Sequence, residues 1–245
     1  MLSEATRRQT GRPAGKSQMR AWTNSLSALA RDLRDAGLDR IEVLLEYPMP
    51  HNKSSSADAV LAGVDRRTGR DLFVVVELKQ WSEAELYEDD EKLVVVPLSR
   101  NDYDTHPAVQ VSNYCRQLVE NCSAVEGTPE AVEGVVYLHN ATRRGVQALF
   151  ELALDKNVHL FTQTERSAFI EYLKRRFADA EGRHAADRLL NGTYGSATGN
   201  APGTRTAPRR SARPLRVSSG RPPPGASGRS AASTRPRAWS STGPA

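Results

Sequence analysis

Leu72-Phe73-Val74-Val75-Val76 runs directly into Glu77-Leu78-Lys79. A short, continuous apolar run predicts a strand that is buried on both faces of a sheet. Side chains two residues apart on a strand share a face, so Glu77 and Lys79 should point one way and Leu78 the other. The run therefore predicts a buried central strand that ends in a pair of opposite charges.

Two extended segments precede this strand and predict an antiparallel meander. Residues 40–47 are rich in Ile, Val and Leu, and residues 57–64 are mostly small and apolar. The segment 65–71, between the second and third strands, has the Asp, Thr and Gly residues of a hairpin turn. That hairpin should bring Asp58, at the start of the second strand, toward Glu77.

The rest of the chain alternates helices with strands, and this order predicts a three-layer α/β core: a central mixed sheet flanked by helices. Apolar spacing predicts helices over 17–36, 107–121, 143–154, 165–177 and 180–190, and strands over 93–97, 134–138 and 158–161. The acidic stretch 83–91 is expected to be a solvated loop. Cys115 and Cys122 are expected to be buried thiols rather than a disulfide.

The charge of the chain is unevenly distributed. Its 245 residues have a formal net charge of +5, but residues 193–245 hold nine arginines and no Asp, Glu or Lys. Without these nine charges, residues 1–192 have a net charge of −4, so bulk charge gives no argument for a nucleic-acid partner of that part. The tail also holds eight of the 14 prolines and too few large apolar side chains to offset the entropy of ordering it.

These properties predict a flexible terminus (1–16), one folded domain (17–192) and a disordered tail rich in Arg, Pro, Ser and Gly (193–245). The tail could be a cationic arm for phosphate backbones, a linker, or the product of a shifted reading frame with little selected function. With no apolar run long enough for a membrane span or a signal peptide, we expect a cytoplasmic protein without a membrane partner. The oligomeric state stays open.

Two common site motifs are not satisfied. Residues 11–17 have the composition of a phosphate-binding loop, but only three residues separate the glycines and no buried strand precedes them. The five histidines show no paired spacing on a helix face, and with the two cysteines they offer no zinc pattern. Nucleotide binding at that loop and zinc chemistry are therefore not expected.

Asp58, Glu77 and Lys79 form the remaining candidate site. Carboxylates that lie close together cannot both stay ionised unaided, and a divalent cation would resolve the conflict. A few oxygen ligands favour Mg²⁺, completed by water and substrate phosphate, and such a site could hydrolyse a phosphodiester while the lysine stabilises charge. On spacing alone, a surface hairpin with ordinary charge pairing remains the alternative.

Three elements together resemble the PD-(D/E)xK nuclease superfamily: Asp58, then Glu77-Leu78-Lys79, then Gln110-Val111-Ser112-Asn113-Tyr114 on the following predicted helix. The Gln-x-x-x-Tyr element is similar to that of the RecB-type exonuclease branch. More narrowly, the chain from about residue 20 to 192 resembles the N-terminal domain of bacterial Schlafen-like DNA/RNA helicases. The segments that carry this likeness are Trp22-Thr23-Asn24-Ser25-Leu26, Leu45-Glu46-Tyr47-Pro48-Met49-Pro50, Ala59-Val60-Leu61-Ala62-Gly63, Val75-Val76-Glu77-Leu78-Lys79-Gln80-Trp81-Ser82 and His106-Pro107-Ala108-Val109-Gln110.

The resemblance implies a restriction-endonuclease-like fold and a nuclease that uses Mg²⁺ or Mn²⁺ to cut DNA or RNA. It implies that Asp58 and Glu77 bind the metal, with the Leu78 carbonyl as a further ligand, and that Lys79 is the catalytic lysine. Glu46, on the adjacent strand, is a candidate additional acid.

Gln80, Gln110 and Tyr114 are implied to support the site or to contact the nucleic acid, and Trp81 could stack on a base or pack at the edge of the core. In that family a P-loop helicase domain follows. Residues 193–245 contain no Gly-Lys-Ser/Thr loop, so we expect no ATPase activity from this chain and regard a separate helicase/ATPase as a candidate partner. The alternatives are a non-catalytic nucleic-acid-binding or interaction module, or a truncated remnant of a helicase-nuclease.

Overall fold

The computed structural model describes the backbone of residues 16–49, 52–97, 99, 101–195 and 215–218. A central mixed sheet carries helices on both faces, which confirms the predicted three-layer α/β class. The predicted flexible terminus, apart from its last residue, and most of the predicted tail lie outside the described residues. None of the described helices is long and apolar enough to span a membrane.

The elements follow the predicted order closely. The helices are α1 (Lys16–Asp35), α2 (Pro107–Asn121), α3 (Arg166–Arg176) and α4 (Arg183–Asn191). The strands are β1 (Glu42–Met49), β2 (Asn52–Val64), β3 (Asp71–Lys79), β4 (Glu85–Tyr87), β5 (Asp90–Val95), β6 (Asp104–Thr105), β7 (Val132–Leu138), β8 (Val158–Thr162) and β9 (Leu215–Ser218).

The central sheet has the strand order β8-β7-β3-β2-β1-β9, and β4, β5 and β6 form a small separate sheet. β1, β2 and β3 are the predicted antiparallel meander, whereas β7 is parallel to both β3 and β8. The chain crosses from β3 to β7 through α2, since parallel neighbours need a crossover connection. β3 is central, and its residues from Leu72 to Leu78 are buried.

A hydrophobic core fills each side of the sheet. α1 and α3 cover one face, with Leu33 and Phe169 in what we call the α1 core, and α2 and α4 cover the other, with Leu118 and Leu189 in the α2 core. Alternate side chains of β3 enter the two cores, as the two-residue period of a strand requires. The two cores therefore hold β3 from both sides, up to the residues that carry the charges.

The predicted helix over 143–154 is wrong. The chain instead forms a 3-10 helix, Arg144–Phe150, with a non-helical residue at Val146. The carbonyl of Gly145 accepts a hydrogen bond from the N–H of Ala84 at 3.1 Å. Because this carbonyl pairs with the preceding segment, it does not accept an α-helical hydrogen bond, which explains why a regular α-helix does not form here.

The acidic stretch 83–91 is not the predicted loop, because it contains β4, which pairs antiparallel with β5 from Glu85 opposite Val95 to Tyr87 opposite Asp90. Asp90 accepts a hydrogen bond from the backbone N–H of Lys92 at 2.9 Å, which supports the turn between the two strands. Its acidic side chains nevertheless remain exposed. The prediction of a solvated surface is correct, and the prediction of irregular backbone is wrong.

Within the predicted disordered tail, the four residues of β9 form a strand antiparallel to β1. The exposed edge of β1 offers a row of backbone donors and acceptors that a further strand can satisfy. An entropy argument based on composition does not anticipate such an edge, and the disorder of the tail as a whole stays a prediction.

Candidate active site

Three acids occupy neighbouring positions on β1, β2 and β3. The β1–β2 register pairs Leu45 with Ala59, and the β2–β3 register ends at the same Ala59. One position further along each strand stands an acidic residue: Glu46, Asp58 and Glu77. The sheet therefore brings Asp58 on β2 close to Glu77 on β3, as the hairpin predicts.

Asp58 separates the two strands at this point. Its Oδ2 accepts a hydrogen bond at 2.8 Å from the backbone N–H of Leu78, so a side chain takes the place of the ladder partner on β2. Burial, together with the negative charge of Glu77, raises the pKa of Asp58 to about 8. The residue is half-buried and borders an open cleft.

Glu77 and Lys79 form a buried ion pair. The Nζ of Lys79 donates to Oε1 of Glu77 at 2.8 Å, and Glu77 is only 4% exposed. Its second oxygen, Oε2, is buried and has no hydrogen-bond partner, an arrangement that costs roughly 1–3 kcal/mol or more. Burial alone would lower the pKa of Lys79, but Glu77 and Asp58 raise it above its usual value, so the ammonium stays charged at neutral pH.

α2 contributes a hydrogen-bonded chain to this ion pair. Lys79 donates to Oε1 of Gln110 at 3.3 Å, and Nε2 of Gln110 donates to the hydroxyl of Tyr114 at 3.0 Å. The hydroxyl of Ser55 donates to the same Tyr114 oxygen at 3.0 Å. Gln110 and Tyr114 can act together because they are one helical turn apart. The structure thus links Gln110 and Tyr114, two of the three predicted supporting residues, to the lysine.

The start of α2 is well defined, which fixes where Gln110 lies. Pro107 is its first residue, and Nδ1 of the preceding His106 accepts a hydrogen bond from the N–H of Ala108 at 3.1 Å. His106 is fully buried, and its other ring nitrogen lies 3.2 Å from the carbonyl of Leu149. Burial lowers the pKa of His106, which keeps the ring neutral and able to accept.

An open cleft of about 260 Å³ lies over the acids. Its walls come from α1, β1, β2, β3 and the segment that follows β3. The residues that line it are Trp22, Ser25, Leu26, Leu45, Glu46, Asp58, Glu77, Leu78, Lys79, Gln80 and Trp81. Of the predicted site residues only Gln110 and Tyr114 lie outside this lining, behind Lys79.

Gln80 is held by residues that sequence reasoning missed. Its Nε2 donates to the hydroxyl of Ser25 at 3.1 Å, and that hydroxyl lies 2.9 Å from Nε2 of His139. Nδ2 of Asn140 donates to the backbone carbonyl of Gln80 at 3.2 Å. Two signals were available: Ser25 is polar within the apolar stripe of α1, and His139 directly follows β7, which is parallel to β3.

The donors present fit a small, hard cation. In the described part of the chain no three His, Cys, Asp or Glu side chains converge as a metal-holding group, so Glu46 borders the cleft without completing such a group. Mg²⁺ is commonly held by only one or two carboxylates together with water and phosphate. Asp58 and the unpartnered oxygen of Glu77 could supply these ligands, while the role of the Leu78 carbonyl stays a prediction.

Comparison with known proteins adds little to this geometry. No protein-family model matches the chain, and no curated protein matches it. Among solved structures, it is similar to the crystal structure of a repair endonuclease from Pyrococcus abyssi, with 18% sequence identity and a TM-score of 0.32. The match covers 57% of this chain and 46% of that one, so this chain matches less than half of the archaeal protein's length. A similarity this low does not establish a shared activity.

Proposed function

We propose that residues 17–192 form a nuclease domain that uses Mg²⁺ or Mn²⁺ to hydrolyse phosphodiester bonds in DNA or RNA. The observation that carries this proposal is the buried, unpartnered Oε2 of Glu77 near the carboxyl group of the half-buried Asp58. Lys79 engages only the other oxygen of Glu77. A hard cation held by Asp58 and Glu77 would neutralise the pair and give Oε2 a partner.

Residues of the chain would then have separate roles in cleavage. Lys79, charged and held between Glu77 and Gln110, can stabilise negative charge that develops on the phosphate or on the attacking water. Tyr114 holds the amide of Gln110 and thereby keeps Lys79 from turning away. When bound, the metal would supply an acidified water and polarise the phosphate oxygens.

A finer proposal concerns family. The segment Val75-Val76-Glu77-Leu78-Lys79-Gln80-Trp81-Ser82 and the other motifs given above support descent from the nuclease-like domain of Schlafen-like helicases. Because residues 193–245 lack a Gly-Lys-Ser/Thr loop, we propose that cleavage by this chain is independent of ATP. A separate helicase/ATPase is the proposed partner.

The test is cleavage of labelled single- and double-stranded DNA and of RNA by the full chain, with Mg²⁺ or Mn²⁺ and with EDTA. Glu77→Gln and Lys79→Ala should each lower the cleavage rate about 100-fold or more, as expected for loss of a group that stabilises charge in the transition state. Lys92→Ala, at an exposed lysine on β5, is the matched control. Cleavage that survives in EDTA or in Lys79→Ala would contradict the proposal.

One observation favours a second candidate, a module that binds nucleic acid without cutting it. Lys79 already forms an ion pair with Glu77, so the protein itself compensates this buried charge. Binding that needs no divalent ion, with no turnover on any of the three substrates, would support this candidate and reject the nuclease.

A further inference from the structure

Two tryptophan rings border the acidic cleft. Trp22 lies on α1 and Trp81 lies two residues after the end of β3, so the two rings come from separate elements. Both side chains are half-buried. The Nζ of Lys79 lies 5.1 Å from the centre of the Trp81 ring, which places that ring directly beside the ion pair.

The two rings differ in how they pack against the cores. Trp81 packs against the α2 core, and Leu26, four residues after Trp22 on the same helix, packs against the α1 core. Among the described residues, neither core includes Trp22. The exposed part of this large aromatic ring borders the cleft, where a ligand can reach it.

Charge alone does not explain how a polyanion would bind at this cleft. Residues 1–192 have a net charge of −4, and the lining includes Glu46, Asp58 and Glu77 against the single cation Lys79. Stacking of bases on aromatic rings needs no net positive charge and tolerates any base, since every base has a π face. The two indoles are therefore the natural source of affinity beside the acids.

The size of the cleft selects among nucleic acids. A volume of about 260 Å³ is at or below that of a pocket for one small ligand, so an intact duplex cannot enter it. The bases of a duplex are also paired and stacked on each other, which leaves no face for an indole within the helix. An unpaired nucleotide is small enough for the cleft, and the faces of its base are free to stack.

We propose that the cleft binds single-stranded nucleic acid, with unpaired bases stacked on Trp22 and Trp81 next to Asp58 and Glu77. The inference rests on the proposed nuclease function and names its substrate class: single strands, flaps or loops rather than uninterrupted duplex. Trp22 has the role of a substrate-binding residue. Gln80 donates from its side chain to the hydroxyl of Ser25 and accepts from Asn140 at its backbone carbonyl, and these two hydrogen bonds hold the residue that leads into Trp81.

Binding of a labelled single-stranded oligonucleotide and of its duplex to the full chain tests the proposal by fluorescence anisotropy. Ca²⁺ replaces Mg²⁺, a gel confirms that the oligonucleotide stays intact, and about 0.3 M salt suppresses contacts made by the arginines of the tail. Trp22→Leu keeps an apolar side chain but removes the aromatic face, whereas Trp22→Phe retains a ring. Tyr103→Leu, at a half-exposed aromatic residue outside the cleft, is the control.

Trp22→Leu should weaken single-strand binding by about 5-fold to 150-fold, the range expected for loss of one stacked base. Trp22→Phe should stay within a few-fold of the parent, and duplex binding should be weak and unchanged in both. Equal binding by Trp22→Leu and the parent would overturn the proposal, and so would an equal loss for single strand and duplex.

Fluorescence gives a second readout. The chain has three tryptophans, and the third, Trp239, lies in the tail, so in Trp239→Phe all tryptophan emission comes from the cleft. Single strands should quench it and duplex should not. A chain that binds single strands through Trp22 but never cuts rejects the nuclease proposal alone, whereas a chain that cuts but is indifferent to Trp22 rejects this inference alone.

Discussion

Glu46 adopts a backbone conformation that a glutamate rarely accepts. Its φ is 51°, and it is the only non-glycine residue with a positive φ in the described part of the chain. A residue with a Cβ loses about 1–2 kcal/mol in this region, and strain of this kind concentrates at functional sites where the surrounding structure enforces it. Burial also raises the pKa of Glu46. Both the backbone conformation of Glu46 and the burial of its charge therefore cost free energy, and the residue borders the cleft.

Substitution at this residue separates the two costs. Asn tolerates the left-handed region better than most residues, and a β-branched residue tolerates it worst. Glu46→Asn should be at least as stable as the parent, and Glu46→Val should be less stable than Glu46→Asn by about 1–2 kcal/mol. Urea denaturation measures both. Equal stability of the two variants would show that the strand relaxes at this point.

Asp65 supports the turn between β2 and β3. Its Oδ1 accepts hydrogen bonds from the N–H groups of Arg67 at 2.7 Å and Thr68 at 2.9 Å, and its Oδ2 lies 2.9 Å from Arg176. Burial alone would raise the pKa of Asp65, but these donors and the arginine hold it below its usual value. The turn positions Asp58 and Glu77 because it sets the register of the hairpin.

A depressed pKa makes the contribution of Asp65 dependent on pH. The stabilisation is present above the pKa of the unfolded chain, about 4, and is lost as the pH falls through the lower pKa of the folded state. Asp65→Asn should lower the free energy of unfolding at pH 7 by roughly 1–3 kcal/mol, and this difference should shrink below about pH 4. Urea denaturation across this range, with the exposed Asp39→Asn as control, checks the prediction. A difference that does not vary with pH would contradict it.

At the scale of elements, the contact between α2 and β7 decides where Gln110 lies. A Cβ on Gly134 would meet Cγ1 of Val111 at 2.3 Å and Sγ of Cys115 at 3.1 Å. The helix can approach the strand this closely only because residue 134 has no side chain. Val111 is the neighbour of Gln110, so the same contact that packs the core sets the distance from Gln110 to Lys79.

Gly134→Ala should therefore destabilise the protein by about 1–3 kcal/mol through overpacking and displace α2 from the sheet. Val111→Ala makes room for the added methyl group. The double variant should therefore lose less stability than the sum of the losses in the two single variants. Thermal denaturation of the four proteins measures this coupling. Simple additivity would mean that α2 does not bear on β7 at this glycine.

At the scale of the whole molecule, the chain joins an acidic domain to a basic tail. Residues 1–192 have a net charge of −4, and residues 193–245 carry nine arginines. β9 attaches this tail to the edge of β1 in antiparallel register, from Glu42 opposite Ser218 to Leu45 opposite Leu215. Leu45 directly precedes Glu46, so the tail joins the sheet next to the cleft.

Removal of residues 219–245 tests the tail as a cationic arm. This segment carries four arginines and leaves β9 in place. If the tail contacts phosphates, the salt dependence of single-strand binding should become shallower by up to about 3 units in the plot of log affinity against log salt, since each contact contributes about 0.7. The unfolding transition should not change. An unaltered slope would favour the linker or frameshift alternatives.

Prediction from the sequence succeeded where neighbours along the chain carry the information. The helix over 107–121 and the buried strand before Glu77 have the expected bounds to within a residue or two. The helix expected over 143–154 failed because the carbonyl of Gly145 pairs with Ala84, more than fifty residues earlier in the chain. β9 was not expected for a similar reason, because its partner β1 lies far earlier in the sequence.

The sequence by itself determined the α/β class and the approach of Asp58 to Glu77, because hydrophobic periodicity and a short hairpin are local properties of the chain. Only the tertiary structure decided that Oε2 of Glu77 is buried without a partner, that Ser25 and His139 meet across 114 residues to hold Gln80, and that Trp22 borders the acids. These features depend on distances between side chains from separate elements. Such distances are set when the two cores pack against the sheet, and no spacing along the sequence encodes them.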